Sequence, residues 1–92
     1  MFNFEKLSER ISASGYRRKA TSRKEYDEET GLFRTIYDFE HRRKLDLVSV
    51  VMDENGLLDY IEITNVDFDK ETRKYKQSVH RLTDTSQLQK YI

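Results

Sequence analysis

Cysteine, proline and tryptophan are absent from the 92 residues, and glycine occurs only three times. The lack of thiols excludes disulfides, thiolate nucleophiles, zinc-finger ligation and iron–sulfur clusters. It also fits a reducing cytosolic compartment, because a secreted domain of this size generally needs covalent or metal staples. Without proline there is no proline-rich linker or ligand motif, and strands can run uninterrupted. The three glycines form neither a G-x-G-x-x-G nor a Walker-type loop, so no nucleotide cradle and no cofactor is expected. No stretch approaches the roughly 20 apolar residues of a membrane span. The opening Met1-Phe2-Asn3-Phe4-Glu5-Lys6 has neither a signal peptide's apolar run nor a span's length, so no membrane association is expected.

What is present is charge and a modest apolar fraction. Seventeen basic residues balance seventeen acidic ones, and charged residues make up 37% of the chain. Leu, Ile, Val and Phe together number 23, enough for one small core and one domain spanning 1–92.

The periodicity changes once. Asn3 is placed to cap a helix, Phe2 and Leu7 stand at staple spacing, and Phe4, Leu7 and Ile11 share a face. A helix from about Phe4 to Ser14, stopped by Gly15, follows. Beyond it the period shortens toward two, with turn signals at Asp27-Glu28-Glu29-Thr30-Gly31 and Asp53-Glu54-Asn55-Gly56. The first turn would join a strand of about Arg17–Tyr26 to one of about Leu32–Phe39. A register with Tyr26 opposite Phe33 also sets Glu25 against Arg34 and Lys19 against Glu40. The second joins Leu45–Met52 to Leu57–Val66. These two strands are apolar on both faces, as strands covered on both sides would be, with helices on both faces or a second subunit on one.

The segment 67–82 reads two ways. Tyr75, Val79 and Leu82 have helical spacing, but Phe68-Asp69-Lys70-Glu71-Thr72 echoes Tyr26-Asp27-Glu28-Glu29-Thr30. The strand register implied by that echo opposes Asp69 to Lys74, Asp67 to Lys76 and Glu62 to Arg81. Asp84, three residues before Gln87, suggests a short final helix carrying Leu88, Tyr91 and Ile92. The expected architecture is α+β: an N-terminal helix, a four- to five-stranded antiparallel meander and a short C-terminal helix.

No catalytic constellation emerges, so no enzyme is expected. His41, in the loop-like run Glu40-His41-Arg42-Arg43-Lys44, and His80 lack metal-ligand spacing or an adjacent nucleophile. Asp67 and Asp69 would share a strand face but have Lys76 and Lys74 as partners, and Asp67 onward lacks the glycine and glutamate of a calcium loop.

The charge pattern is the least generic feature. Net charges of +5, −5, +3, −7 and +4 fall on residues 1–24, 25–40, 41–44, 45–69 and 70–92. Part of this would be neutralised across the sheet. Arg17, Arg18, Lys19, Arg23 and Lys24, joined by Arg42, Arg43 and Lys44, form a candidate nucleic-acid contact with Tyr16, Tyr26 and Tyr37 as stacking faces. Asp46, Asp59, Glu62, Asp67 and Asp69, with Asp53 and Glu54, form a candidate acidic surface for a partner with a basic groove. Val48, Val50, Met52, Leu58 and Tyr60 form a candidate dimer face. The expected function is a small cytosolic binding protein acting through protein–protein contacts, as a homodimer or an acidic-surface inhibitor. A nucleic-acid module is the alternative.

Overall fold

A computed structural model describes residues 2–92. Helix α1 spans Phe4–Ala13, and the Asn3 side chain accepts a hydrogen bond from the Lys6 backbone N–H at 3.1 Å. That contact satisfies one of the donors a helix start leaves open. Leu7, Ser8 and Ile11 face inward. The chain then reverses at Gly15, whose φ is +99° and where an added Cβ would lie 2.8 Å from His41 Nε2. Both the backbone conformation and the packing therefore require glycine there.

Six strands follow: β1 (Tyr16–Arg18), β2 (Arg23–Asp27), β3 (Leu32–His41), β4 (Leu47–Met52), β5 (Leu58–Asp69) and β6 (Lys74–Leu82). They form one antiparallel sheet in the order β1-β3-β4-β5-β6, with β2 beside the other half of β3. The α+β class matches the sequence reading, but the strand count is six rather than four or five. The extra strand arises because the expected Arg17–Tyr26 strand is broken: Arg18 pairs with Phe39 and Arg23 with Ile36, so residues 19–22 bulge opposite Tyr37 and Asp38. The segment 67–82 is strand and turn, in the register implied by its charges, Asp69 opposite Lys74, Asp67 opposite Lys76 and Glu62 opposite Arg81.

The expected C-terminal helix is only a 3-10 turn, Leu88–Lys90, with no side-chain cap. The Asp84 carboxylate instead accepts from the backbone N–H of Ser86, closing a local turn rather than starting a helix. Leu88 is nevertheless fully buried and completes the core.

Directly opposed residues share a sheet face. Phe39, Val48 and Ile63 form one such row on the inner face, and Tyr37, Val50 and Ile61 another. Leu7 and Ile11 of α1, together with Tyr16 and Leu88, join this layer in a single core. Val48, Val50, Ile61 and Ile63 have no exposed surface.

The outer face carries no helix. Ile36 and Val51 are nonetheless only 4% and 2% exposed. Long side chains roof them: Arg23, Tyr60, Glu62 and Arg81 line the shallow groove around this pair. Arg23 is held by Asp38 at 2.6 Å, and Arg81 lies 4.0 Å over the Tyr60 ring. The aliphatic stems of such residues cover apolar surface while the charged heads stay wet. The two-faced apolar pattern of β4 therefore needs neither a second helix layer nor a second subunit.

Candidate interaction surface

β5 outruns β4. The last β4–β5 pair is Leu47 with Thr64, whereas β5–β6 pairing continues through Val66–Gln77 and Phe68–Tyr75 to Asp69–Lys74. Residues 65–69 and 74–78 thus project as a two-stranded arm. Asp46 anchors its base. This carboxylate is 7% exposed and accepts from the Val66 backbone N–H at 3.0 Å and from Asn65 Nδ2 at 3.1 Å. Asn65 Nδ2 also reaches the Tyr91 carbonyl, tying the arm to the end of the chain. Burial, and secondarily the charge of Asp46, push the Tyr16 phenol above its ordinary value.

On the outer face of the arm Phe68 and Tyr75 pair with ring centroids 5.2 Å apart, at 52% and 65% exposure. Val79 and Leu47 flank Thr64 on the same face, beyond the intervening Val66–Gln77 pair, at 53% and 43% exposure. Leu47 lies beside the Lys19–Glu40 ion pair, whereas among the described residues no ion pair is formed by the residues directly opposite Phe68, Tyr75 and Val79. Leu47, Phe68, Tyr75 and Val79 thus place four exposed apolar side chains on the open face, in two groups separated by the Val66–Gln77 pair.

The three residue sets expected from sequence meet different fates. Of the candidate dimer face, Val48, Val50 and Met52 are core beneath α1, Leu58 packs against that core, and Tyr60 lies under Arg81. This corrects the expectation of a dimer face at these residues, since Val48, Val50 and Met52 are covered by the chain's own core. The candidate acidic surface is likewise dispersed. Asp46 is buried, Asp59 pairs with Arg34, Glu62 with Arg81 and Asp69 with Lys76. Asp53 closes its own turn by accepting from Asn55 and Leu57 N–H.

The basic set divides. Lys19 and Arg23 are neutralised by Glu40 and Asp38, and Arg18 lies over the Phe4 and Tyr37 rings on the helix side. Lys24 sits opposite Thr35, far along β3 from the loop. Arg17 and Arg42, by contrast, line one cleft with Glu40 and His41, and Arg43 and Lys44 follow directly. Among the described residues none of these four cations has a carboxylate within 4 Å.

Among the described residues neither imidazole belongs to a group arranged for a metal or shares a hydrogen bond with a hydroxyl. His41 is no solvated loop residue: its Nδ1 accepts from the Arg43 and Lys44 N–H groups, each at 3.0 Å, and its ring meets Tyr16 edge-on. It orders the basic loop. His80 stacks on Tyr91. Among the described residues no group of three or more acidic, His or Cys side chains is arranged for a metal, and no helix is long and apolar enough to cross a membrane.

Sequence reasoning missed the arm patch. Its signal was the repeated aromatic-Asp-x-Glu-Thr turn, but which strand outlasts its neighbour depends on strand lengths that periodicity does not fix. No family model matches the chain, and no curated protein or solved structure matches it.

Proposed function

We propose that this chain is a non-enzymatic cytosolic binding protein that acts through protein–protein contacts, with the outer face of the β5–β6 arm as its docking surface. One observation carries the reading: Phe68 and Tyr75 at the tip of the arm, and Leu47 and Val79 nearer its base, stand exposed on the same face as Ile36 and Val51, which are covered by the Arg23–Asp38 and Arg81–Glu62 pairs. Fully burying such side chains contributes about 1.5–3 kcal/mol each, so together they supply the apolar centre of an interface. The absence of cysteine supports the cytosolic setting. A partner with a basic groove is less well served, because Asp59, Glu62 and Asp69 already have cations.

The test is a Phe68→Ser, Tyr75→Ser double variant. It is expected to melt close to the wild type and to lose the proteins that the wild type retains from its native lysate. Sedimentation of both forms shows whether a homodimer uses the same surface. Unchanged retention and unchanged mass would refute the reading.

A nucleic-acid reading keeps one favourable observation, the meeting of Arg17, Arg42, Arg43 and Lys44 at one end of the sheet. Fluorescence anisotropy with labelled oligonucleotides at about 50 and 200 mM salt tests it, since phosphate contacts demand a steep loss of affinity with salt.

A further inference from the structure

The sheet has two edges, and they are built differently. One is formed by β1 and β2, three and five residues long and separated by the bulge at 19–22. Short, interrupted edge strands resist pairing with another chain. The other edge is β6, nine residues in unbroken register with β5 from Leu82 to Lys74, with no bulge and no proline. Its outer backbone groups are a template for one more strand.

The side chains of β6 specify which strand would fit. Lys74, Lys76 and His80 alternate onto the inner face, and Tyr75 and Val79 onto the outer one. β5 already illustrates the match on the other side: Asp69 and Asp67 oppose Lys74 and Lys76, while Phe68 opposes Tyr75. Lys74 has no carboxylate within 4 Å among the described residues, and the Lys76 side chain is 73% exposed despite its bond to Asp69. A second copy is a poor occupant. In a two-fold antiparallel β6 pair centred on Gln77, Lys74 would face His80 and Lys76 would face Ser78, so neither lysine would gain the opposite charge that an acidic strand supplies.

We infer that the free edge of β6 takes an extended segment of a partner protein in which acidic and apolar residues alternate, added as a seventh strand. The acidic residues meet Lys74 and Lys76, and the apolar ones extend the outer face beside Tyr75 and Val79. This rests on the protein-binding reading above and names its partner chemistry.

The probe is an eight-residue peptide alternating Asp or Glu with Val or Phe, titrated into the full chain, with a control peptide in which lysine replaces every acid. Saturable binding is expected for the acidic peptide only, weaker at high salt, with new amide-exchange protection along 74–82 and undiminished protection in β5. Val79→Lys should weaken binding roughly tenfold, and Lys74→Glu several-fold at low salt. Both positions are exposed, and thermal melts verify that each variant folds. Equal binding of the lysine peptide, or no binding of either, overturns the inference. So does a wild-type dimer that Val79→Lys dissociates, or an oligonucleotide that displaces the peptide and protects 74–82 itself. Peptide binding without protection of 74–82 overturns the edge but leaves the arm surface standing. Persistent β6 protection in the Phe68→Ser, Tyr75→Ser variant supports the edge and removes the surface.

Discussion

The β2–β3 and β5–β6 hairpins are the same device built twice and braced differently. Each closes on an aromatic pair, Tyr26 with Phe33 and Phe68 with Tyr75, at 5.0 and 5.2 Å. In each, an Asp side chain accepts from the backbone N–H two residues on, Asp27 from Glu29 and Asp69 from Glu71, at 2.9 Å. The first hairpin is tied to the body because Arg34 bridges Asp27 and Asp59, both at 2.9 Å. The second projects past β4 and is held at its base by a buried carboxylate. A local turn signal thus fixes the hairpin, but the neighbouring strands decide whether it becomes wall or arm.

The largest expected effect comes from removing that base. Asp46→Ala leaves the Val66 N–H and the Asn65 amide without their acceptor in a buried setting, which should lower stability by roughly 2–3 kcal/mol. Exchange should rise first in residues 65–78, with the β2–β3 amides following only the global change. Equal loosening of both hairpins would show that Asp46 supports the whole sheet rather than the arm. Asp46→Asn, which keeps one acceptor oxygen, should recover part of the loss.

A smaller effect, of opposite sign in the two hairpins, comes from the turns. Gly31 and Arg73 occupy equivalent places, with φ of +72° and +57°. Left-handed backbone costs a side-chain-bearing residue roughly 1–2 kcal/mol, while glycine carries a larger loss of chain entropy. Gly31→Ala should therefore destabilise by about 1 kcal/mol, and Arg73→Gly should stabilise by somewhat less than that. For a domain of this size each kcal/mol corresponds to roughly 4–8 °C of melting temperature, so the two melts should bracket the wild type. Two shifts in the same direction would break the equivalence of the turns.

The hairpin registers were legible because charges recorded them. Glu25 opposes Arg34, and Asp67 and Asp69 oppose Lys76 and Lys74, as the alternation of sign requires. The break in the edge strand was illegible for the same reason. Lys19 reaches Glu40 at 2.9 Å although Arg17 is the residue opposite Glu40, so the ion pair forms across the bulge and conceals it. The apolar outer positions of β4 suggested a second layer because composition does not reveal that Arg23 and Arg81 will lie along the sheet. The basic cluster was half legible: its loop members were adjacent in sequence, but the selection of Arg17 over Arg18 and Lys19 depended on a face and on partners that only the register supplies.

The smallest expected effect is on acid stability, where the two hairpins again differ in cause. Asp38 on β3 is held below the ordinary carboxylate value first by its hydrogen bond from Arg23 of β2, with Ser49 adding a second donor and burial opposing. Asp69 is lowered first by the Glu71 backbone N–H within its own turn. A carboxylate whose folded value is depressed stabilises the fold above its unfolded value, and that contribution is lost as pH falls through the folded one. Both should therefore leave stability flat at neutral pH and erode it as pH falls below the ordinary aspartate value of 3.8. Arg23 is more than half exposed, so solvent screening keeps the Asp38 contribution to about 1 kcal/mol or less. Asp38→Asn should accordingly lower the melt slightly at pH 7 and flatten its decline on acidification. Asp69→Asn should act on exchange near residues 69–74 without changing the acid response of β2–β3. If Asp38→Asn leaves the acid slope untouched, Arg23 is only a roof over Ile36 and Val51, and its ion pair contributes nothing to the bracing of the first hairpin.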